Sequence, residues 1–251
     1  MKNKLSLLIL LLTASSLSAQ VNVKDSAITA PIIYANYAYQ FPGGDLNQLF
    51  GSNSRIGGGF LLKTKGNWLL GAEGNYLFGG NVKHQETMMI WISTPEWNII
   101  DANGMFADVI LYERGYSFYG YFGKLFPILS PNPNSGFTIT GGVGYLQDKI
   151  RINNPNNTAY QLKDDYRKGY DKLNGGVSCT GSIGYMYLSN SRLLNFSVAF
   201  EFVQAWTHRM RDYNFDLKGP DPDNYSSQFY GVKVSWFIPL YTRKPKEFYL
   251  Y

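Results

Sequence analysis

Eight stretches of this 251-residue chain alternate apolar with small or polar residues, and the gaps between them run long, short, long, short along the chain. The stretches cover residues 33–41, 55–63, 68–78, 116–125, 137–147, 173–188, 194–206 and 229–240. Successive side chains of a strand point to opposite faces, so each stretch has one greasy and one polar face. In the third, Trp68, Leu70, Ala72, Tyr76 and Phe78 oppose Gly71, Glu73 and Asn75. In the seventh, Phe196, Val198, Phe200, Phe202 and Trp206 oppose Asn195, Ser197, Ala199 and Glu201.

A β-sandwich in water and a barrel in lipid both accept such strands, with the faces inverted. The gaps discriminate between them. Thr64-Lys65-Gly66-Asn67 and Ser189-Asn190-Ser191-Arg192 are tight hairpin turns, and 127–135 is a somewhat longer Pro/Asn-rich one. The gaps at 42–54, 79–115, 148–172 and 207–228 are all long. An up-and-down barrel crossing a membrane has short periplasmic turns on one side and long extracellular loops on the other. A sandwich has no reason to obey that parity.

The aromatic residues point the same way. The chain has 20 Tyr, 16 Phe and 5 Trp beside 26 Gly. Trp68, Phe137, Tyr187 and Trp236 fall near the inner strand ends, and Tyr39, Phe78, Tyr116, Tyr145, Trp206 and Tyr230 near the outer ends. Two belts at headgroup depth are expected of membrane barrels. The fold class that the sequence implies is therefore all-β, an up-and-down antiparallel transmembrane β-barrel of eight strands. Ten strands remain open, because 86–93 and 106–113 offer one more hairpin.

The ends of the chain carry their own signals. Lys2 and Lys4, the apolar run Leu5 to Leu12 and the small residues that follow read as a signal peptide over 1–19. The barrel is then expected over 20–241 and a basic, aromatic periplasmic tail over 242–251. Cleavage takes two lysines from the formal charge of +5, leaving about +3. Apart from the C-terminus, that charge is dispersed along the chain and does not describe a nucleic-acid surface. Cys179 is the single cysteine, so no intramolecular disulfide can form; at an outward strand position it serves as a small hydrophobe.

Inside the expected lumen lie Arg55, Glu73, Glu201 and Lys233. Buried charges must be paired, and eight strands leave an interior narrow enough for contact across it. A filled polar interior is expected, with no open pore. An enzyme would have to be built on His84 with Glu86 or on His208 with Arg209, Arg211 and Asp212. No nucleophile motif accompanies them, two loop histidines lack metal-ligand spacing, and the acidic pairs at 164–165 and 221–223 lack a calcium-loop pattern. No cofactor is implied.

Two segments are candidate partner-binding surfaces. The second long gap carries Met88, Met89, Ile90, Trp91 and Ile92, then Trp97 and Phe106, too apolar to stand bare in water. It either docks a partner or folds over the lumen, and the two are compatible. The tail offers Arg243, Lys244, Lys246, Phe248 and Tyr251, as a ligand for a partner or an anionic lipid headgroup, or as a solvated end.

The leader ending Leu17-Ser18-Ala19-Gln20, the glycine-rich Ser135 to Tyr145 and the closing Trp236-Phe237-Ile238-Pro239-Leu240-Tyr241 resemble the small, OmpA-like outer-membrane barrels of Bacteroidota-type bacteria. The resemblance implies a cell outer-membrane location, outer-membrane lipid and other envelope proteins (surface lipoproteins or larger barrels) as partners, and an accessory role without enzymatic activity in protein secretion or barrel assembly. The alternatives are a narrow passive pore or structural barrel, and a lipid-modifying or proteolytic enzyme.

Overall fold

The computed structural model describes residues 23, 25–85, 88–190 and 193–240. Eight antiparallel strands close into a single ring in sequence order. They are β1 (Ala30–Gly44), β2 (Asn53–Lys63), β3 (Trp68–Gly79), β4 (Ile110–Phe126), β5 (Gly136–Asn153), β6 (Asn174–Tyr187), β7 (Phe196–Arg209) and β8 (Asn224–Pro239). The expected signal peptide and the tail with Arg243, Lys244, Lys246, Phe248 and Tyr251 lie outside the described residues. No described helix is long and apolar enough to cross a membrane.

Closure is made by β1 against β8, from Ile32 opposite Pro239 to Gly44 opposite Ser227. Proline has no N–H for the ladder and is confined to strand ends and edges. Pro31 and Pro239 sit at such ends, and Leu240 N–H donates to the Pro31 carbonyl at 2.8 Å to finish the seam. Strand alternation is strict: Ile33, Tyr37, Ile56, Phe60, Phe118, Val143, Phe200 and Val232 are exposed on the outer wall, while Asn36, Arg55, Glu73, Ser117 and Glu201 are buried inside. An apolar outside and a polar inside are stable only where lipid, not water, surrounds the ring.

The strands reach further outward than the alternation alone suggests. β4 and β5 pair up to Ile110 opposite Asn153. This extension decides the strand count. Residues 110–113 continue β4, so they are not free to build a further hairpin with 86–93, and the barrel has eight strands. The second outer loop makes only the isolated bridges Ser93 to Ile99 and Ile100 to Phe106 among the described residues.

Both mouths of the lumen are sealed. At the inner end, Val23 and Ile28 of the N-terminal segment pack with Leu61, Leu69, Leu125, Met186, Leu188 and Phe237. Asn134 stitches this segment in place. Its Nδ2 donates to the carbonyls of Val23 and Ser26 at 2.7 and 2.8 Å, and its Oδ1 accepts from Ile28 N–H at 2.9 Å and from Lys63 Nζ at 2.8 Å. At the outer end, all four long loops contribute. Leu46 and Phe50, then Val82, Met88, Met89 and Ile99, then Leu162 and Tyr170 are buried against Leu111, Ile150, Val203 and Phe229 of the wall, and Phe215 packs against them.

Replacing Asn134 by Ala takes the nearest partner from the Lys63 ammonium, which keeps the Ile28 and Thr64 carbonyls at 3.3 and 3.5 Å. It also removes the Asn134 bonds to the Val23 and Ser26 carbonyls and the Ile28 N–H, a loss of about 1–3 kcal/mol. Urea unfolding of the protein refolded into lipid should register that loss, and a protease should cut residues 25–29 faster than in the wild type.

Candidate functional site

The lumen between the two seals is held by four charges. On β1, Ala38 lies opposite Arg55 of β2 on one side and opposite Lys233 of β8 on the other. The small alanine leaves two cations at one height on either side of it, and two carboxylates must answer them. Glu201 of β7 is in contact with Arg55 and accepts from Lys233 Nζ at 2.6 Å. Glu73 of β3 lies 3.4 Å from Lys233 and 3.9 Å from Arg55. All four have side chains at most 15% exposed.

Polar neighbours complete the cluster. Tyr121 Oη donates to Tyr34 Oη at 3.0 Å, and Tyr34 Oη donates to Glu73 at 2.8 Å. Asn75 Nδ2 adds a bond to Glu73 at 3.2 Å. Inward glycines make room for the tyrosines: a Cβ on Gly59 would lie 2.8 Å from Tyr34 Oη, and one on Gly71 would collide with the Tyr121 ring. Beneath the cluster is a chamber of about 60 Å3 with a mixed lining, Thr138, Thr180, Ser182 and Ser235 beside Leu61, Leu69, Met186 and Phe237. That is space for a few waters, and far too little for a solute path.

The outer wall settles the setting. Trp68 stacks on Phe122 at 4.9 Å, and Phe137 and Tyr185 meet edge to face at 5.6 Å near the inner rim. Trp236 Nε1 donates to the Leu193 carbonyl at 2.8 Å there. Near the outer rim, Tyr76 and Tyr116 lie 5.2 Å apart, and Phe41 stacks with Tyr230 at 6.0 Å. Two aromatic girdles bound an apolar band on a closed antiparallel ring. The chain is an eight-stranded outer-membrane β-barrel.

The candidate partner loop is divided by the fold. Met88 and Met89 are buried in the outer seal at 4% and 6% exposure, so they are not part of an accessible surface. A loop crossing the mouth of a narrow barrel has to supply apolar cover, and these two side chains are part of it, with Val82 and Ile99. Ile92 is half-buried against the seal. Ile90, Trp91, Trp97 and Phe106 are exposed, as are Ile100 and Met105.

The fourth outer loop pins this one. Asp216 accepts the Met89 N–H at 2.8 Å, where Met89 takes φ of +59°, and the Asp216 carbonyl accepts from Trp91 Nε1 at 3.1 Å. Lys218 Nζ sits 3.2 Å from the centre of the Trp91 ring. Burial pushes the Asp216 carboxyl up and the Lys172 ammonium down, even though the two lie 3.8 Å apart.

The histidines are both exposed at the outer side, and Glu86 lies outside the described residues. His208 is on the outward face of β7, and its neighbour Arg209 turns the other way, its Nε donating to Asp221 at 2.8 Å. No group of His, Cys, Asp and Glu able to hold a metal occurs among the described residues. Two further features emerge only in the fold. Lys63 has the same inward parity as Arg55, so its burial is legible in the sequence, but its partner Asn134 lies in a turn. Positive charge that looks dispersed along the chain is gathered in space: Arg114, Lys149, Arg151, Arg167, Lys168 and Arg211 share one outer cleft.

No family model matches this sequence, and no curated protein does. Among solved structures, Ail, the attachment invasion locus protein of Yersinia pestis, is similar at 8% identity and a TM-score of 0.44, over 84% of this chain and 99% of that one. Neisserial surface protein A is similar at 11% identity and a TM-score of 0.34, over 82% of this chain and 96% of that one.

Four outcomes are expected. Glu201→Ala leaves Arg55 and Lys233 short of a counter-charge in the lumen and should cost about 3–5 kcal/mol. The neutral pair Glu201→Gln with Lys233→Gln should cost less than Glu201→Ala, as read by urea titration in lipid. Planar bilayers containing the protein should show no steady conductance. The fourth outcome concerns Asp221. Burial raises its carboxyl, but the bonds from Arg209 and Tyr225 outweigh this and hold it below the usual aspartate value. Its contribution is therefore present above the unfolded value and lost as pH falls through the lowered one. The stability gap between the wild type and Asp221→Asn should be open at neutral pH and close below the aspartate range.

Proposed function

We propose that this barrel is a non-enzymatic accessory or scaffolding subunit that binds another envelope protein through its outer face. The observation that carries the reading is the segment 99–107 of the second outer loop. Ile100, Met105 and Phe106 stand exposed on it, at 46%, 68% and 70%, while Ile99 beside them is anchored in the outer seal. A solvent-facing apolar cluster of this kind is characteristic of a protein contact.

The segment is also stiff. Asp101 N–H donates to the Met105 carbonyl at 2.7 Å, and Ala107 N–H to the Ile99 carbonyl at 2.7 Å. The Asp101 carboxylate accepts the N–H of Met105 at 2.9 Å and of Asn103 at 2.8 Å. The Met105 bond foremost holds that carboxyl below its ordinary value. A preformed surface loses less entropy on binding than a floppy one. The sealed lumen supports the same reading, since it offers a solute no passage and moves attention to the loops. Secretion or outer-membrane protein assembly are the settings in which such a subunit is expected, with a surface lipoprotein or a larger barrel as the partner.

The experiment is native co-purification from membranes. The triple variant Trp97→Ser, Met105→Ser, Phe106→Ser touches no member of the outer seal and should migrate on heat-dependent gels as the wild type does. It should lose its co-purifying proteins. Recovery of the same proteins in the same yield overturns the proposal.

A further inference from the structure

Above the outer girdle, the β4–β5 hairpin and the third and fourth outer loops enclose a cleft of about 410 Å3. Arg114, Lys149 and Arg151 line it from the strands, Arg167 and Lys168 from the third loop, and Arg211 from the fourth. Asp164 and Asp171 are the carboxylates in its lining, and Asp171 is taken up by Arg211. Lys168 also has Asp165 at 2.7 Å, an exposed pair that contributes little.

The strand register makes this concentration of charge costly. Arg114 lies directly opposite Lys149, and directly opposed side chains have Cβ atoms about 4.5–5.5 Å apart. Like charges so placed repel. Arg114 is steadied by the carbonyls of Glu113 and Gly79 at 2.6 and 3.3 Å, neither of which cancels its charge. Arg151 is two residues beyond Lys149 on the same outward face, opposite Tyr112. An anion bridging these groups would remove the repulsion and gain charge-assisted hydrogen bonds.

The depth of the cleft identifies the anion. Its floor includes Tyr76 and Tyr116, two residues inward of Arg114 along the wall, and Tyr116 and Phe118 on the same face are exposed. At about 3.4 Å per residue, Arg114 and Lys149 stand about 7 Å beyond the girdle tyrosines along the strand, and Arg151 about 14 Å. The strands of such barrels tilt by about 35–45°, so along the membrane normal these steps shorten to about 5 and 10 Å. Arg114 and Lys149 then fall within the headgroup layer, about 5–7 Å thick on each side. The cationic cleft runs without interruption into lipid-facing aromatic wall.

We propose that this cleft binds a phosphate-bearing glycolipid of the outer leaflet. Its phosphate lies between Arg114 and Lys149 on the strand side and Arg167 and Lys168 on the loop side, and its acyl chains run down over Tyr116 and Phe118.

The test uses the full-length protein in detergent, with native mass spectrometry to count bound molecules. The probes are phosphorylated lipid A, the same lipid A after phosphatase treatment, and glucosamine 6-phosphate as a chain-free phosphosugar. Phosphorylated lipid A should be retained at least about tenfold better than the treated lipid, the scale of losing a charged hydrogen bond. Arg114→Gln with Lys149→Gln should abolish that preference, as should Arg167→Gln with Lys168→Gln, which alters only a surface loop and keeps the test valid if the strand variant fails to fold. Equal retention of the two lipids overturns the proposal, as does an unchanged preference in the loop variant. Glucosamine 6-phosphate bound as tightly as phosphorylated lipid A also overturns it, in favour of a soluble anion.

Discussion

The requirement that every backbone N–H and C=O be paired within the protein governs this molecule, because lipid offers no replacement partner. The β1–β8 seam meets that requirement, and the other features follow from closure. A ring of eight strands is narrow, so its interior has to be filled. Polar side chains fill it because the alternation that makes the outside apolar leaves the other parity free to be polar. Charge then has to cancel locally, and Arg55, Lys233, Glu73 and Glu201 do so around Ala38.

A filled centre changes what the ends can be. The N-terminal segment held by Asn134 and the outer seal built from all four long loops are extensions of the same packing, apolar where the lumen meets water at each mouth. Chain that covers a mouth is fixed by what it covers, and so the outer loops are ordered by tertiary contacts more than by local structure. Asp216 shows this: one residue of the fourth loop accepts from both Met89 and Trp91 of the second. Surfaces left over from sealing, the 99–107 segment and the cationic cleft, are thereby presented in fixed geometry.

Much of the wall is legible in the sequence, because period-two alternation and loop parity are local properties. The inward positions of Arg55, Glu73, Glu201 and Lys233 follow from parity alone. Strand ends are less legible, since β4 and β5 continue beyond the membrane where the apolar signal stops, and it is this extension that removes the two additional strands. The second outer loop reads as uniformly apolar, whereas the fold buries Met88, Met89 and Ile99 and leaves Trp97, Ile100, Met105 and Phe106 exposed. Nothing in the spacing separates these groups. Which side of a loop meets the lumen depends on where the strands deliver it.

By itself the sequence determined the class of fold, the side of each loop and the two faces of each strand, because these depend on near neighbours and on the period of the strand. Tertiary structure alone decided which charges meet. Arg55 and Glu201 are far apart in sequence and become partners only when the ring closes, and the cleft from Arg114 to Arg211 draws on two strands and two loops. The alternation fixed at the outset what a barrel of this chain had to be. Long-range register, set by closure, decided where its charges and its apolar cover came to lie.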